Sequence, residues 1–212
     1  MSVAKIFDAV MEYDEEEVAE LVSAELANGT DIQVILGDGL VSALDDIGEK
    51  FSAGPLFVPE MLMAAEAVQA GLDLLRPLLA ETGVKPIGTV VLGTVKGDLH
   101  DIGKNLVGML LEGAGFRVID LGTDVDAEQF ISSAQENEAD IIALSGLLTT
   151  SMPEMQKAAA ALQDANQTRN LNVKVMVGGP PVHQEFAMKI GADAYGMDAP
   201  AAVEQARSFV TA

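Results

Sequence analysis

Over the first 82 positions apolar residues recur at three- and four-residue steps, the period of helices with one buried face. Val3–Met11 is a short amphipathic segment. Asp14 then has the chemistry of an N-cap, with Glu17 three residues on to complete a capping box and Glu15 and Glu16 favouring the positive helix end. Val18, Leu21, Val22 and Leu26 keep the spacing until Asn28-Gly29 stops it. Asp31 can cap a third helix whose stripe is Ile32, Ile35, Leu36, Leu40, Leu44, Ile47 and Phe51, weakened by Gly37 and Gly39 and closed by Gly54-Pro55. Pro59 marks the start of a fourth, which runs through Met61, Leu62, Ala65, Val68 and Leu72 to Leu75, with a bend at Pro77. Four helices on short turns predict a small bundle.

After Thr82-Gly83-Val84-Lys85-Pro86, which reads as a linker and hinge, the period changes. Short apolar runs at Ile87–Thr94, Phe116–Asp120, Ala139–Ser145, Val173–Val177 and Ala194-Tyr195 predict strands. Helical patterns lie between them, near 103–114, 126–137, 152–165 and 184–190, with a last one at 200–210. Strands rich in Val, Ile and Leu that alternate with helices predict a parallel sheet covered on both faces. The fold class is therefore α/β: a four-helix bundle cap over residues 1–85, then a Rossmann-like (flavodoxin-like) five-stranded sheet over 86–212. No internal repeat or low-complexity tract interrupts either half.

Composition narrows the chemistry. Of 212 residues, 33 are Asp or Glu against 12 Lys or Arg, a formal charge of −21. That balance argues against nucleic acid and against an anionic membrane surface as partners. With no Cys and two His, thiolate sites and polyhistidine metal sites are excluded. No run is long enough for a membrane span, and the N-terminus lacks a secretory pattern, so the expectation is a cytoplasmic protein.

In an open parallel sheet, ligands bind beyond the carboxyl ends of the strands, where connections diverge. The loops expected there are Val95–Gly103, Ser145–Ser151 and Gly178–Pro181. His100 is the most informative residue. Asp98, two positions earlier, can accept one imidazole N–H and leave the other nitrogen as a metal ligand, and Ser151 can extend the relay. One His is too few ligands for a bare protein-bound metal, but enough if the metal arrives inside a macrocycle. The plainer reading of these residues is a loop His beside a helix-capping Asp, and Ser151 reads equally well as an N-cap.

Asp98-Leu99-His100-Asp101-Ile102-Gly103, then 41 residues, then Ser145-Gly146-Leu147, then 30 residues before Gly178-Gly179, resembles the cobalamin-binding domain of methionine synthase and its relatives. That pattern is D-x-H-x-x-G, S-x-L and G-G. The last gap is slightly long, and the excess is expected in a polar Gln163–Asn172 connection. The helical half also resembles that family's cap, with Pro55–Glu60 matching the segment that places Phe57 over the upper cobalt face. A unit of this size is similar to the corrinoid proteins of multi-component methyltransferase systems.

The resemblance implies cobalamin, carried in its methylcobalamin form, with His100 as the lower cobalt ligand in place of the cofactor's own base. His100, Asp98 and Ser151 then carry the chemistry. Gly97, Gly103, Gly178 and Gly179 open a slot for the nucleotide tail, and Asp101, Ile102, Ser145, Leu147 and Thr149 complete the cofactor contacts. It further implies a methyl carrier cycling between cobalt(I) and methyl-cobalt(III). Its partners are a donor-specific methyltransferase (methylamine, methanol, betaine or methoxyaromatic type), an acceptor methyltransferase of tetrahydrofolate or thiol type, and a reductive activase. The competing readings are a cobalamin-dependent sensor or cofactor-storage module without methyl turnover, and a flavodoxin-like or receiver-like domain without a corrinoid.

Overall fold

The computed structural model describes residues 3–82, 85–169 and 171–210. Residues 83 and 84 of the expected hinge lie outside them. Contacts divide the chain into two compact units, Met1–Pro86 with Gly113–Gly115, and Ile87–Glu112 with Phe116–Ala212.

The first unit is all helical: α1 (Val3–Met11), α2 (Glu15–Ala27), α3 (Ile32–Val34), a π-helical segment (Ile35–Val41), α4 (Ser42–Ala53) and α5 (Val58–Thr82). Ile6, Val10, Val18, Val22, Leu40, Ile47, Met61 and Leu75 are among its buried side chains. Asp14 caps α2, accepting the Glu17 N–H at 2.9 Å. The expected capping box is half made, because the Asp14 N–H already donates to the Ala9 carbonyl at 3.0 Å in closing α1.

The third helix departs from its prediction. Instead of one α-helix, Asp31 caps a short turn that passes into the π-segment before α4. Gly37 and Gly39, the two weak helix formers of the stretch, lie within that segment. A π-turn puts residues five apart on one face, and Ile35 and Leu40 are both fully buried. A Cβ on Gly39 would stand 3.2 Å from Ile6 Cγ2, so the glycine also permits close packing on α1. α5 continues beyond Leu75 and through Pro77 to Thr82.

The second unit is a five-stranded parallel sheet of order β2-β1-β3-β4-β5, with β1 (Thr89–Thr94), β2 (Arg117–Asp120), β3 (Ile141–Ser145), β4 (Lys174–Gly178) and β5 (Ala194–Gly196). The helices are α6 (Ile102–Gly113), α7 (Ala127–Glu136), α8 (Met152–Thr168), α9 (Gln184–Ile190) and α10 (Ala199–Val210). Side chains alternate across the sheet. Val91 packs in a core with Phe130 of α7 and Met155 and Leu162 of α8, while Leu92 meets Gly108 of α6. A Cβ on Gly93 would lie 2.8 Å from Phe130 Cζ, which is why the second-last residue of β1 carries no side chain.

The polar stretch expected as a long connection after residue 162 is largely helix, since α8 runs to Thr168. Asn166 compensates for the short return. Its amide donates to the Val173 carbonyl at 2.8 Å and accepts the Val173 N–H at 3.2 Å, holding the approach to β4 against the end of the helix.

Candidate functional site

The inner strands end in register. Thr94 pairs with Ser145, Ser145 with Gly178 and Gly178 with Gly196. The β1–α6, β3–α8 and β4–α9 loops therefore leave the same edge, on both sides of β3. The first of these connections crosses to a helix on one face and the second to a helix on the other, so the loops after β1 and β3 diverge there.

Asp98 is the centre of this edge. Its side chain is 0% exposed, and five donors meet its two oxygens. Oδ1 accepts the His100 backbone N–H at 3.1 Å and faces His100 Nδ1 at 2.6 Å. Oδ2 accepts the N–H groups of Leu147 at 2.7 Å and Leu148 at 3.0 Å, and lies 3.0 Å from Ser151 Oγ. Burial alone raises the pKa of this carboxyl. The His100 side chain and backbone N–H, then the Leu147 and Leu148 N–H groups, outweigh it and hold Asp98 well below the usual carboxylate range. The group is an anion whose accepting capacity is directed at His100 on one side and the β3–α8 loop on the other.

With Nδ1 committed to a carboxylate, the neutral His100 ring carries its proton there and presents Nε2 bare. The His100 side chain is 51% exposed, and apolar groups stand around it in the open: Leu99 is 74% exposed, Ile102 73%, with Leu147 and Leu148 also exposed. Ser151 is buried, and its hydroxyl lies 2.7 Å from the Leu148 carbonyl as well as near Asp98, so its single proton serves one oxygen at a time. It occupies the N-cap position of α8 without a side-chain capping bond. Its carbonyl accepts the Glu154 and Met155 N–H groups, but its hydroxyl is turned to Asp98 and the Leu148 carbonyl rather than to the helix.

The other expected residues distribute around this centre. Gly97 has φ 82°, and neither it nor Gly103 in the first turn of α6 has an atom within 4 Å of where a Cβ would be. Asp101 and Ile102 are exposed where α6 begins, and the Asp101 carbonyl accepts the Asn105 N–H at 2.7 Å. Ser145 ends β3 and its carbonyl accepts the Val95 N–H at 2.9 Å, while Thr149 is exposed in the turn before Ser151. Gly178 accepts the Gly146 N–H at 3.2 Å. Gly179, at φ 123°, lies so close to Gly146 that a Cβ there would collide with its carbonyl. Phe57 belongs to the helical unit. It is 67% exposed, so it is not one of that unit's core residues, and its N–H donates to Glu60 at 3.0 Å just before α5.

Three supporting residues had escaped the motif reading. Thr94 is fully buried at the end of β1 and its hydroxyl donates to the His100 carbonyl at 2.9 Å. Lys104, almost fully buried in α6, pairs with Asp120 at the end of β2 and donates to Asn105 at 2.6 Å. Asp124 meets the Gly97 N–H. A threonine closing an apolar strand and a lysine on the sheet-facing side of a helix were the available signals.

Among the described residues no group of three or more His, Cys, Asp or Glu side chains gathers as a metal site. What the edge offers is one oriented imidazole, a ring of exposed apolar side chains and glycines beside open space. These fit a planar macrocycle that brings its own metal and needs one axial nitrogen. They do not suit a receiver-like acceptor site, since Ser145, not an acid, ends β3. Fold and site together define an α/β domain that presents one oriented imidazole at the carboxyl edge of a parallel sheet.

The chain belongs to the B12-binding-domain family: the family's B12 binding domain matches residues 88–204, and its second B12 binding domain matches residues 3–76. Cobalamin is the cofactor of that family. Trimethylamine corrinoid protein 1 of Methanosarcina acetivorans is 41% identical over 210 residues, covering 98% of this chain and 96% of the relative. A cobalamin-binding protein from Desulfitobacterium hafniense superposes with a TM-score of 0.80 at 30% identity, covering 99% of both chains. The methanol:cobalamin methyltransferase complex of Methanosarcina barkeri contains a chain that superposes with a TM-score of 0.83 at 29% identity, covering 99% of this chain and 80% of that one. No described helix is long and apolar enough to cross a membrane.

Proposed function

We propose that this chain is a methyl carrier: a corrinoid protein that binds cobalamin with His100 as lower axial ligand and moves a methyl group between two methyltransferases. The observation that carries the reading is the Asp98–His100 contact of 2.6 Å at Nδ1, which leaves Nε2 of an exposed ring free to ligate. When bound, cobalamin supplies a cobalt centre able to accept and release a methyl group.

The chain's own residues do the rest. Asp98 holds the proton on Nδ1 and keeps the imidazole aimed, while Ser151 shares its hydroxyl proton between Asp98 and the Leu148 carbonyl and so adjusts how strongly the carboxylate pulls on the ring. Leu99, Ile102, Leu147 and Leu148 exclude water below the macrocycle, and the open spaces at Gly97 and Gly103 receive the nucleotide tail, with Gly178 and Gly179 as backbone at its wall, packed closely on Gly196 and Gly146. Ser145, Thr149 and Asp101 offer polar groups at its rim. Phe57 is proposed as the apolar group offered to the upper face, a role its exposure supports.

A methylamine-type donor system is the favoured partner, supported by 41% identity to both a trimethylamine and a dimethylamine corrinoid protein of Methanosarcina acetivorans. A tetrahydrofolate- or thiol-type acceptor methyltransferase and a reductive activase complete the proposed set. Cofactor-free protein loaded with hydroxocobalamin and desalted is expected to give a base-off, histidine-ligated spectrum, and His100→Ala to lose that ligation. A free-cofactor spectrum from the parent overturns the binding mode. Methyl turnover with a methanol-, betaine- or methoxyaromatic-specific but not a methylamine-specific methyltransferase overturns the donor assignment, and turnover with none of the four types reduces the chain to a sensor or storage module.

A further inference from the structure

The β2–α7 connection bends through two left-handed residues, Gly122 at φ 78° and Asp124 at φ 58°. Glycine adopts that conformation freely, and Asp and Asn are the side chains that tolerate it best. The bend lays the connection alongside the β1–α6 loop. The Thr94 N–H donates to the Gly122 carbonyl at 2.9 Å and the Val125 N–H to the Thr94 carbonyl at 3.0 Å, with Val95 and Val125 forming an isolated parallel bridge. Asp124 then grips the loop from both sides. Its Oδ1 accepts the Gly97 N–H at 2.8 Å, and its own N–H donates to the Asp98 carbonyl at 3.1 Å.

Those two bonds fix the N–H entering and the carbonyl leaving the Gly97–Asp98 pair. Gly97 has a left-handed φ and open space beside its Cα, so its own packing does not hold it in place. The direction of the Asp98 side chain depends on the peptide planes on either side of it, and the His100 ring depends on that side chain. Thr94, bonded to Gly122 through its N–H and to the His100 carbonyl through its hydroxyl, braces the same loop from the strand side.

We infer that Asp124 is a positioning residue for His100: clamping the Gly97–Asp98 pair, it sets the orientation of the Asp98 carboxylate and thereby which imidazole nitrogen is left bare. Its functional meaning rests on the proposed corrinoid role, but the geometry is testable without cofactor. Asp124→Gly keeps the left-handed backbone and its N–H bond to the Asp98 carbonyl but removes the carboxylate that holds the Gly97 N–H, while Asp124→Asn keeps both the conformation and an oxygen for the Gly97 N–H.

The experiment is ¹⁵N NMR of the two imidazoles in the cofactor-free chain at about pH 8, above the usual imidazole range. The parent and Asp124→Asn are expected to show His100 protonated at Nδ1. Asp124→Gly is expected to shift it toward Nε2–H, with His183 unchanged as internal reference. Loaded with hydroxocobalamin, the Gly variant is expected to bind about tenfold more weakly, as when a group behind a ligating histidine is disturbed. An Asp124→Gly ring that stays fully Nδ1–H, or an Asn variant that loses the pattern, overturns the inference. Should Asp124→Gly not fold, hydrogen exchange of the parent decides: the Gly97 amide is expected to exchange at least about tenfold more slowly than in an open chain, and exchange at the open-chain rate overturns the clamp. A parent with the expected tautomer that takes up no cobalamin refutes the proposed function and leaves the positioning role standing.

Discussion

Asp98→Asn isolates the value of a carboxylate at the centre of the site, because the two side chains have nearly the same shape and volume terms drop out. Asp98 accepts at both ends: from His100 N–H and Nδ1 at Oδ1, and from the Leu147 and Leu148 amides at Oδ2 with Ser151 Oγ alongside. Asn has one accepting end. If its oxygen faces His100, two backbone donors at Leu147 and Leu148 meet an NH₂ group. If its oxygen faces those amides, Ser151 remains satisfied and the conflict moves to His100. There the ring can shed its Nδ1 proton and accept from the Asn, but the backbone N–H loses its partner. The second arrangement is cheaper. Its cost is one unpaired donor at about 1–3 kcal/mol, plus about 1 kcal/mol for each charge-assisted bond that becomes neutral. Relief of a buried charge acts in the opposite direction. The balance is about 2–4 kcal/mol of lost stability, accompanied by transfer of the imidazole proton to Nε2. Urea unfolding of the cofactor-free chain at neutral pH, followed by circular dichroism, measures the first, and ¹⁵N NMR measures the second. A stability loss below about 1 kcal/mol, or an Asn variant whose His100 remains protonated at Nδ1, refutes the reasoning.

Gly93→Ala places a methyl group 2.8 Å from Phe130 Cζ. The expected loss is about 1–3 kcal/mol by thermal unfolding, and Phe130→Leu in the same chain recovers part of it because the two sites share one space. Glu128 titrates below the ordinary 4.5, first because its side chain accepts from Arg169, whose two guanidinium nitrogens lie 2.9 and 3.1 Å away. A depressed carboxyl contributes stability above its unfolded pKa and loses it as pH falls through the folded value. A ¹³C titration of Glu128 is therefore expected to have its midpoint below 4.5 and to return toward it in Arg169→Ala; an unchanged midpoint in that variant refutes the pairing.

The α/β class, the five strands and the loops at their carboxyl ends were legible because period and composition act locally: apolar runs between amphipathic helices leave few arrangements. Asp98 and His100 were legible for the same reason, being two residues apart. What the sequence did not disclose depends on partners far along the chain. The π-segment forms because Ile35 and Leu40 are both drawn into the core around two glycines, and a strict 3.6-residue stripe does not anticipate that. The end of α8 shifts because Asn166 finds the backbone of Val173. Ser151 had two chemically reasonable assignments, and a carboxylate from the β1–α6 loop decides which way its hydroxyl turns. Asp124 reads as an ordinary turn residue until the parallel sheet places it beside Gly97.

The spacing of the motif itself has a physical origin in this geometry. One oxygen of Asp98 accepts both the backbone N–H of His100 and its ring nitrogen. The first bond is the side-chain-to-backbone bond of an Asx turn, which reaches the residue two positions on, so D-x-H follows from the reach of a short carboxylate rather than from the identity of x. Leu99, the residue between, points outward and is free to be apolar. In S-x-L the Asp98 contact comes from the Leu147 N–H, so its distance depends on where the backbone leaves β3 and not on the side chain. That exit is set by the pairing of Thr94 with Ser145. A shift of one residue between β1 and β3 would turn every side chain of the moved strand to the other face, and it would also carry the Leu147 and Leu148 amides away from Asp98. The pairing register of β1 and β3 thus also fixes the geometry around Asp98 and His100. Substitutions deep in β3 that loosen that register should therefore impair the orientation of His100 without touching it.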